Sequence, residues 1–151
     1  MTGQPKVLIV EDDNAIQSLL VAALRNEPLE VDAANDGVDA LRMTEATEYA
    51  VIVLDLMMPR LNGFDFLDAF RRARPHARPA VVVITAFDET MIGRLPSAQV
   101  HAIVRKPFDV PQFVVMVREV ALTRKAATND DGREMVAEPP PDVRPPAEPT
   151  T

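Results

Sequence analysis

The chain has 151 residues, 47% of them apolar, with a net charge of −7 and no cysteine. That apolar share supports one ordinary domain with a real core, and the missing cysteines exclude disulfides, thiolate metal sites and cysteine nucleophiles. The acidic balance argues against nucleic acid or an anionic membrane surface as the main partner.

The start, MTGQPKVLIVEDD, has no long apolar stretch before its acids and does not read as a signal peptide. No apolar run approaches the roughly 20 residues needed to span a bilayer, so the expectation is a soluble cytoplasmic protein. The first β-branched run is KVLIV at 6–10. A helical stretch follows, with Ile16, Leu19, Leu20, Ala23 and Leu24 on one face and Asp13 or Asn14 available as cap. LEVDAA at 29–34 alternates, Glu30 and Asp32 opposing Leu29, Val31 and Ala33, which suits an edge strand. A second helix begins near Asp36. AVIVLD at 50–55 is continuously apolar up to its last residue, as a strand covered on both faces should be. A third helix opens near Gly63, and AVVVIT at 80–85 repeats the buried-strand pattern. A fourth helix from about Asp88 is cut early by Pro96. AIVR at 102–105 is the last strand, and a final helix from Asp109 buries Phe113, Val117, Val120 and Ala121.

Composition changes near residue 125. Beyond it, prolines at 139, 140, 141, 145, 146 and 149 accompany acids and few large apolar residues. Such a segment buries too little surface to offset its ordering entropy. The expected division is a folded domain at 1–125 and a disordered, proline-rich acidic tail at 126–151, read as passive rather than as a polyproline docking motif.

Alternation of strands and helices implies a parallel sheet covered on both faces. Five strands and five helices in this length fit the α/β, doubly wound, flavodoxin-like (βα)5 arrangement, whose known strand order is 2-1-3-4-5. In such sheets ligands bind beyond the carboxyl ends of the strands, where the order reverses. The first strand runs into Glu11 and Asp12, the third ends in Asp55, the fourth in Thr85, and the fifth runs into Lys106. Each residue alone is an ordinary polar strand end. Their joint placement on one rim is harder to dismiss, because two carboxylates about 4 Å apart repel by around 4 kcal/mol at an effective dielectric near 20. A lysine or a divalent cation would relieve that repulsion, and hard oxygen ligands select Mg2+ or Mn2+.

VLIVEDD, VIVLDLMMPRLNGFDFL, VVVITAF and VRKPF together resemble the receiver domains of two-component response regulators, across roughly residues 5 to 122. Any one motif is weak; four in order on four strand ends are specific. The resemblance implies that Asp55 is the phosphoacceptor, attacking a phosphohistidine of a sensor histidine kinase or a histidine phosphotransfer protein. It implies Mg2+, with Mn2+ as an alternative, held by Asp12, Asp55 and the backbone carbonyl of Met57, with Glu11 acting through a bound water. Lys106 would hold a phosphoryl oxygen, Thr85 would donate a hydrogen bond to another, and the small Ala86 would leave room beside them. Pro59 and Gly63 fit a tight loop before the third helix. Lys106–Pro107 matches a position that is often cis in the family.

Two departures stand out. Ile103 occupies a position where many receivers carry Tyr or Phe, so output is expected through the fourth helix and its preceding loop rather than through a large ring. Met57 and Phe87 flank the presumed phosphoryl site, cannot orient a water by hydrogen bonding, and are expected to slow dephosphorylation.

The expected activity is a phosphorylation-activated switch that catalyses only its own phosphorylation and dephosphorylation, not turnover of an external substrate. Its output is expected through an unknown downstream protein, since nothing after residue 125 reads as a folded output domain. The expected state is a monomer or a phosphorylation-dependent dimer. Ala15, Ile16 and Gln17 mark the face where the family meets its histidine donor, although Ile16 fits the core equally well. Competing readings are a degenerate receiver that only binds, or an aspartyl-nucleophile hydrolase. The complete set of Asp12, Asp55, Thr85 and Lys106 opposes the first, and Met57 stands where the second usually has an acid. The glycines form neither a P-loop nor a dinucleotide fingerprint.

Overall fold

The computed structural model of the protein describes residues 3–58, 60–86, 89–96 and 98–129. Pro59, Phe87, Asp88 and residues 130–151 of the proline-rich segment lie outside the described residues. In chain order the elements are β1 Lys6–Val10, α1 Asn14–Arg25, β2 Glu30–Ala34, α2 Gly37–Ala46, β3 Val51–Asp55, α3 Gly63–Ala73, β4 Ala80–Thr85, α4 Glu89–Gly93, β5 Val100–Arg105 and α5 Val110–Asn129. Every strand pairing is parallel and the order is β2-β1-β3-β4-β5, the doubly wound, flavodoxin-like sheet expected.

The pleat sorts the β-branched runs onto two cores. Val7, Ile9, Val51, Val53, Val82 and Ile84 pack against Leu20 and Leu24 of α1 and Phe113, Val117 and Ala121 of α5. Leu8, Val10, Ile52, Leu54, Val81 and Val83 face the other way, onto Phe66, Leu67 and Phe70 of α3. Because β1, β3 and β4 are covered on both faces, their sequences read as continuous apolar runs rather than alternating ones. At the β2 edge, Glu30 is outward and pairs with Lys6 at 2.7 Å.

Four side-chain caps start the helices just past the strand ends. Backbone N–H groups of Ile16, Asp39, Asp65 and Gln112 donate to Asp13, Asp36, Asn62 and Asp109, at 3.0, 2.9, 2.9 and 2.9 Å. Each such cap stabilises its helix by about 1 kcal/mol. Asp13, rather than Asn14, therefore serves α1.

Some expectations shift. Leu19 is 51% exposed, because the α1 face that meets the sheet centres on Leu20 and Leu24 and turns Leu19 about 100° away. Strand β5 starts at Val100 rather than 102. Helix α4 ends at Gly93, before Pro96. Helix α5 continues to Asn129, beyond the composition change at 125. Among the described residues, no helix is long and apolar enough to cross a membrane.

Gly63 opens α3 where the helix meets the end of β3. A Cβ there would lie 2.8 Å from Leu56 Cα and 3.0 Å from Asp55 O, both backbone atoms that cannot swing away. Alanine normally gains about 1 kcal/mol over glycine inside a helix. Here the overlap reverses the sign, and Gly63→Ala is expected to cost about 2 kcal/mol, at the scale of overpacking a core. Urea unfolding midpoints check this; an unchanged or raised midpoint would show that the loop after Asp55 yields easily.

Candidate functional site

The register places the polar strand ends on one rim. Val10 pairs with Leu54, Asp55 with Ile84, and Thr85 with Arg105, so Glu11 and Lys106 each fall one step beyond a strand. Two positions before Glu11, Asp55 and Lys106 stand Ile9, Val53 and Val104, on the face toward α1 and α5, while Val83, two before Thr85, faces α3. The first three are accordingly found together. Lys106 Nζ lies 3.4 Å from Glu11 Oε1 and 3.6 Å from Asp55 Oδ2.

Glu11, Asp12 and Asp55 bring carboxylate oxygens within 4.8 Å of one another. Glu11 is fully buried, Asp55 is 4% exposed, and Asp12 is open to solvent. Burial pushes the Glu11 carboxyl up to about 7; the neighbouring Asp55 charge adds to this, and the Asp13 N–H and Lys106 oppose it. That N–H donates to Glu11 Oε2 at 3.0 Å. Three acids this close, with one lysine among them, retain an excess of negative charge. Hard oxygen donors, partly buried and open on the Asp12 side, fit a divalent cation that keeps several waters. The residues present therefore suit such an ion.

Asp55 Oδ1 accepts the Met57 N–H at 3.2 Å, so one carboxylate oxygen is tied to its own loop and the other faces Lys106. Met57 is 55% exposed beside it. Thr85 is fully buried at the end of β4, and Ala86 after it is exposed. The Lys106 N–H donates to Thr85 O at 2.9 Å, and Lys106–Pro107 is cis. Ile103 pairs with Val83 and packs, partly buried, on the α3 side of the sheet.

Of the expected donor-facing residues, Ala15 is exposed and Ile16 is half-buried against the α1–α5 core. Gln17 turns inward. Its Nε2 lies 3.0 Å from Glu11 O, 2.9 Å from Asn35 Oδ1 and 3.3 Å from Ala34 O, tying the loop after β1 to the loop after β2. Sequence reasoning did not find that role, nor the ion pair between Asp36 and Arg60 across two loops. The only local signal was Asp36 itself, read as a helix start.

A family described as "Response regulator receiver domain" matches residues 7–118. The transcriptional regulatory protein PrrA of Mycobacterium leprae is 33% identical over 137 residues, 89% of this chain and 57% of that protein. The response regulator ArlR of Staphylococcus aureus is 32% identical over 117 residues, 76% of this chain and 52% of that protein. The chain thus spans about half the length of the curated relatives it matches. Among solved structures, the Vibrio cholerae chemotaxis protein CheY4 superposes with a TM-score of 0.71 at 25% identity, over 78% of this chain and 99% of that one. The Thermotoga maritima response regulator TrrA, in complex with Mg2+ and BeF, gives 0.67 at 25% identity, over 77% and 98%.

Proposed function

The chain belongs to the response regulator receiver family, and from that premise we propose that it is a phosphorylation-controlled switch with Asp55 as phosphoacceptor. The observation that carries this reading is the pairing of a nearly buried Asp55 with Lys106 at 3.6 Å inside a cluster of three carboxylates. The Asp55 oxygen facing Lys106 attacks the phosphorus of a phosphohistidine on a sensor kinase or phosphotransfer protein. An O–P bond forms, the donor's P–N bond breaks, and the imidazole leaves with the electron pair.

Asp12, Asp55 and the Met57 carbonyl would hold Mg2+, with Glu11 behind them through a water. Bound there, the ion neutralises carboxylate and phosphoryl charge. Lys106 then keeps a phosphoryl oxygen as a mobile point charge, and Thr85 donates its hydroxyl to another. The Met57 side chain offers an attacking water no hydrogen bond, which favours a long-lived acyl phosphate. The switched state is passed on through a protein contact.

Incubation with a small phosphodonor and Mg2+, read by intact mass, tests the proposal. A single phosphoryl adduct is expected, absent when the metal is chelated. A chain that acquires none with metal present would instead be a receiver that only binds.

A further inference from the structure

Residues 56–62 join Asp55 to α3 and include the Met57 backbone that would face a cation. Two backbone contacts pin this segment. The Gly63 N–H donates to Leu56 O at 3.0 Å, bringing its two ends together. Near its C-terminal end, α2 begins against the segment: a Cβ on Gly37 would lie 2.7 Å from Leu61 O and 2.9 Å from Leu61 Cβ.

Between these contacts stands Arg60, with φ of 67°, the one non-glycine residue with positive φ among those described. An L side chain pays a steric penalty in that left-handed region, so the surrounding structure must over-determine it. An ion pair supplies that constraint. Arg60 Nη2 pairs with Asp36 Oδ2, while Asp36 Oδ1 accepts the Asp39 N–H at 2.9 Å and caps α2. The Asp36 side chain is only 4% exposed, whereas Arg60 is 66% exposed. A buried carboxylate with one capping bond still seeks a cation, and Arg60 supplies it from its left-handed backbone conformation. One carboxylate thereby binds the start of α2 to the segment that follows Asp55.

We propose that Arg60 and Asp36 form a positioning latch that holds residues 56–58 and 60–62 in the arrangement presenting the Met57 backbone to the cation site. Neither residue touches the cation. The inference rests on the cation reading of the site, and its test separates the two.

Magnesium binding is measured by calorimetry on the full chain and on Arg60→Ala, Arg60→Lys, Arg60→Gly and Asp36→Asn. Backbone hydrogen exchange of 56–62 is followed in the same proteins without metal. Arg60→Ala is expected to weaken Mg2+ binding by about tenfold, the lower end for a group that orients metal ligands from behind. It should also speed exchange across 56–62. Arg60→Lys should restore both, because one charged contact suffices. Asp36→Asn keeps an oxygen to cap α2 and should reproduce Arg60→Ala, which covers the case where Arg60→Ala folds poorly.

Unchanged affinity in Arg60→Ala and Asp36→Asn overturns the latch. Full affinity in Arg60→Gly overturns the part given to the ion pair, leaving backbone conformation alone. If the parent chain binds no Mg2+, the cation reading fails. The exchange data then decide the latch by themselves, and equal rates in parent and Arg60→Ala reject it.

Discussion

Asp55→Asn is expected to abolish the phosphoryl adduct completely while leaving the metal-free protein at least as stable as the parent. The two effects separate because the amide keeps the shape and loses the charge. Its oxygen can still accept the Met57 N–H that reaches Asp55 Oδ1 at 3.2 Å, so the loop after β3 stays in place. What disappears is the proposed nucleophile. Electrostatically, Asp55 is repelled by Glu11 and Asp12 and attracted by Lys106 at 3.6 Å. At an effective dielectric near 20 each contact of about 4 Å is worth around 4 kcal/mol, so Lys106 offsets one of the two repulsions, and the other is reduced because Glu11, with a pKa of about 7, is only partly charged at neutral pH. The remaining term is desolvation of a carboxylate that is 4% exposed, which the neutral amide relieves. A net gain of at least about 1 kcal/mol at neutral pH follows, read from urea midpoints alongside intact mass after phosphodonor treatment. An adduct of parental yield in this variant would place the phosphoacceptor elsewhere. A clear loss of stability would show that Asp55 is held more by Lys106 than it is opposed by its neighbours.

How much of this could be read from the chain depends on how local each cause is. The buried strands were legible because double coverage leaves its mark on every residue from Val51 to Leu54 and from Ala80 to Ile84. The meeting of Glu11, Asp12, Asp55 and Lys106 was legible too, since strand ends in a doubly wound sheet converge by topology alone. Strand β5 began earlier than expected because half-buried His101 breaks its apolar run. Asp32 reads as the outward residue of an edge strand, yet it accepts the Tyr49 hydroxyl at 2.7 Å; nothing near Asp32 announces a partner seventeen residues away. The inward turn of Gln17 and the Arg60–Asp36 pair are hidden for the same reason, since each bridges two loops that only the folded sheet brings together. Leu19 was misplaced for a different reason. Helical spacing defines a stripe wide enough to include it, and only the docking angle of α1 decides which margin faces water.

Glu11 should give the metal-free protein an unusual dependence on pH. Its folded-state pKa is raised from an ordinary 4.5 to about 7, chiefly by burial. The folded chain therefore holds this proton more tightly than the unfolded chain does. The stabilisation from that proton is fully present below about pH 4.5 and is lost as pH rises through about 7. At about 1.4 kcal/mol per pH unit the loss amounts to roughly 3 kcal/mol, with the side chain fully covered and little solvent screening to reduce it. Glu11→Gln carries no charge to desolvate, and its amide oxygen can still accept the Asp13 N–H. Relative to the parent it should be neutral at the acid end and more stable by roughly 3 kcal/mol at pH 8, the attraction of Lys106 at 3.4 Å being already contained in the pKa of about 7. Saturating Mg2+ should reverse that order, since a ligand that binds only the folded state adds RT ln(1 + [L]/Kd), and the variant has given up one anion of the site. Urea unfolding at acid and alkaline pH, with and without Mg2+, measures all of these terms. Parallel stability curves for parent and variant across that range would mean that Glu11 titrates in the folded chain as it does in the unfolded one, and is charged at neutral pH. Lys106 would then be enough to hold the buried acid charged, and the cation would add to the site without being needed to neutralise it.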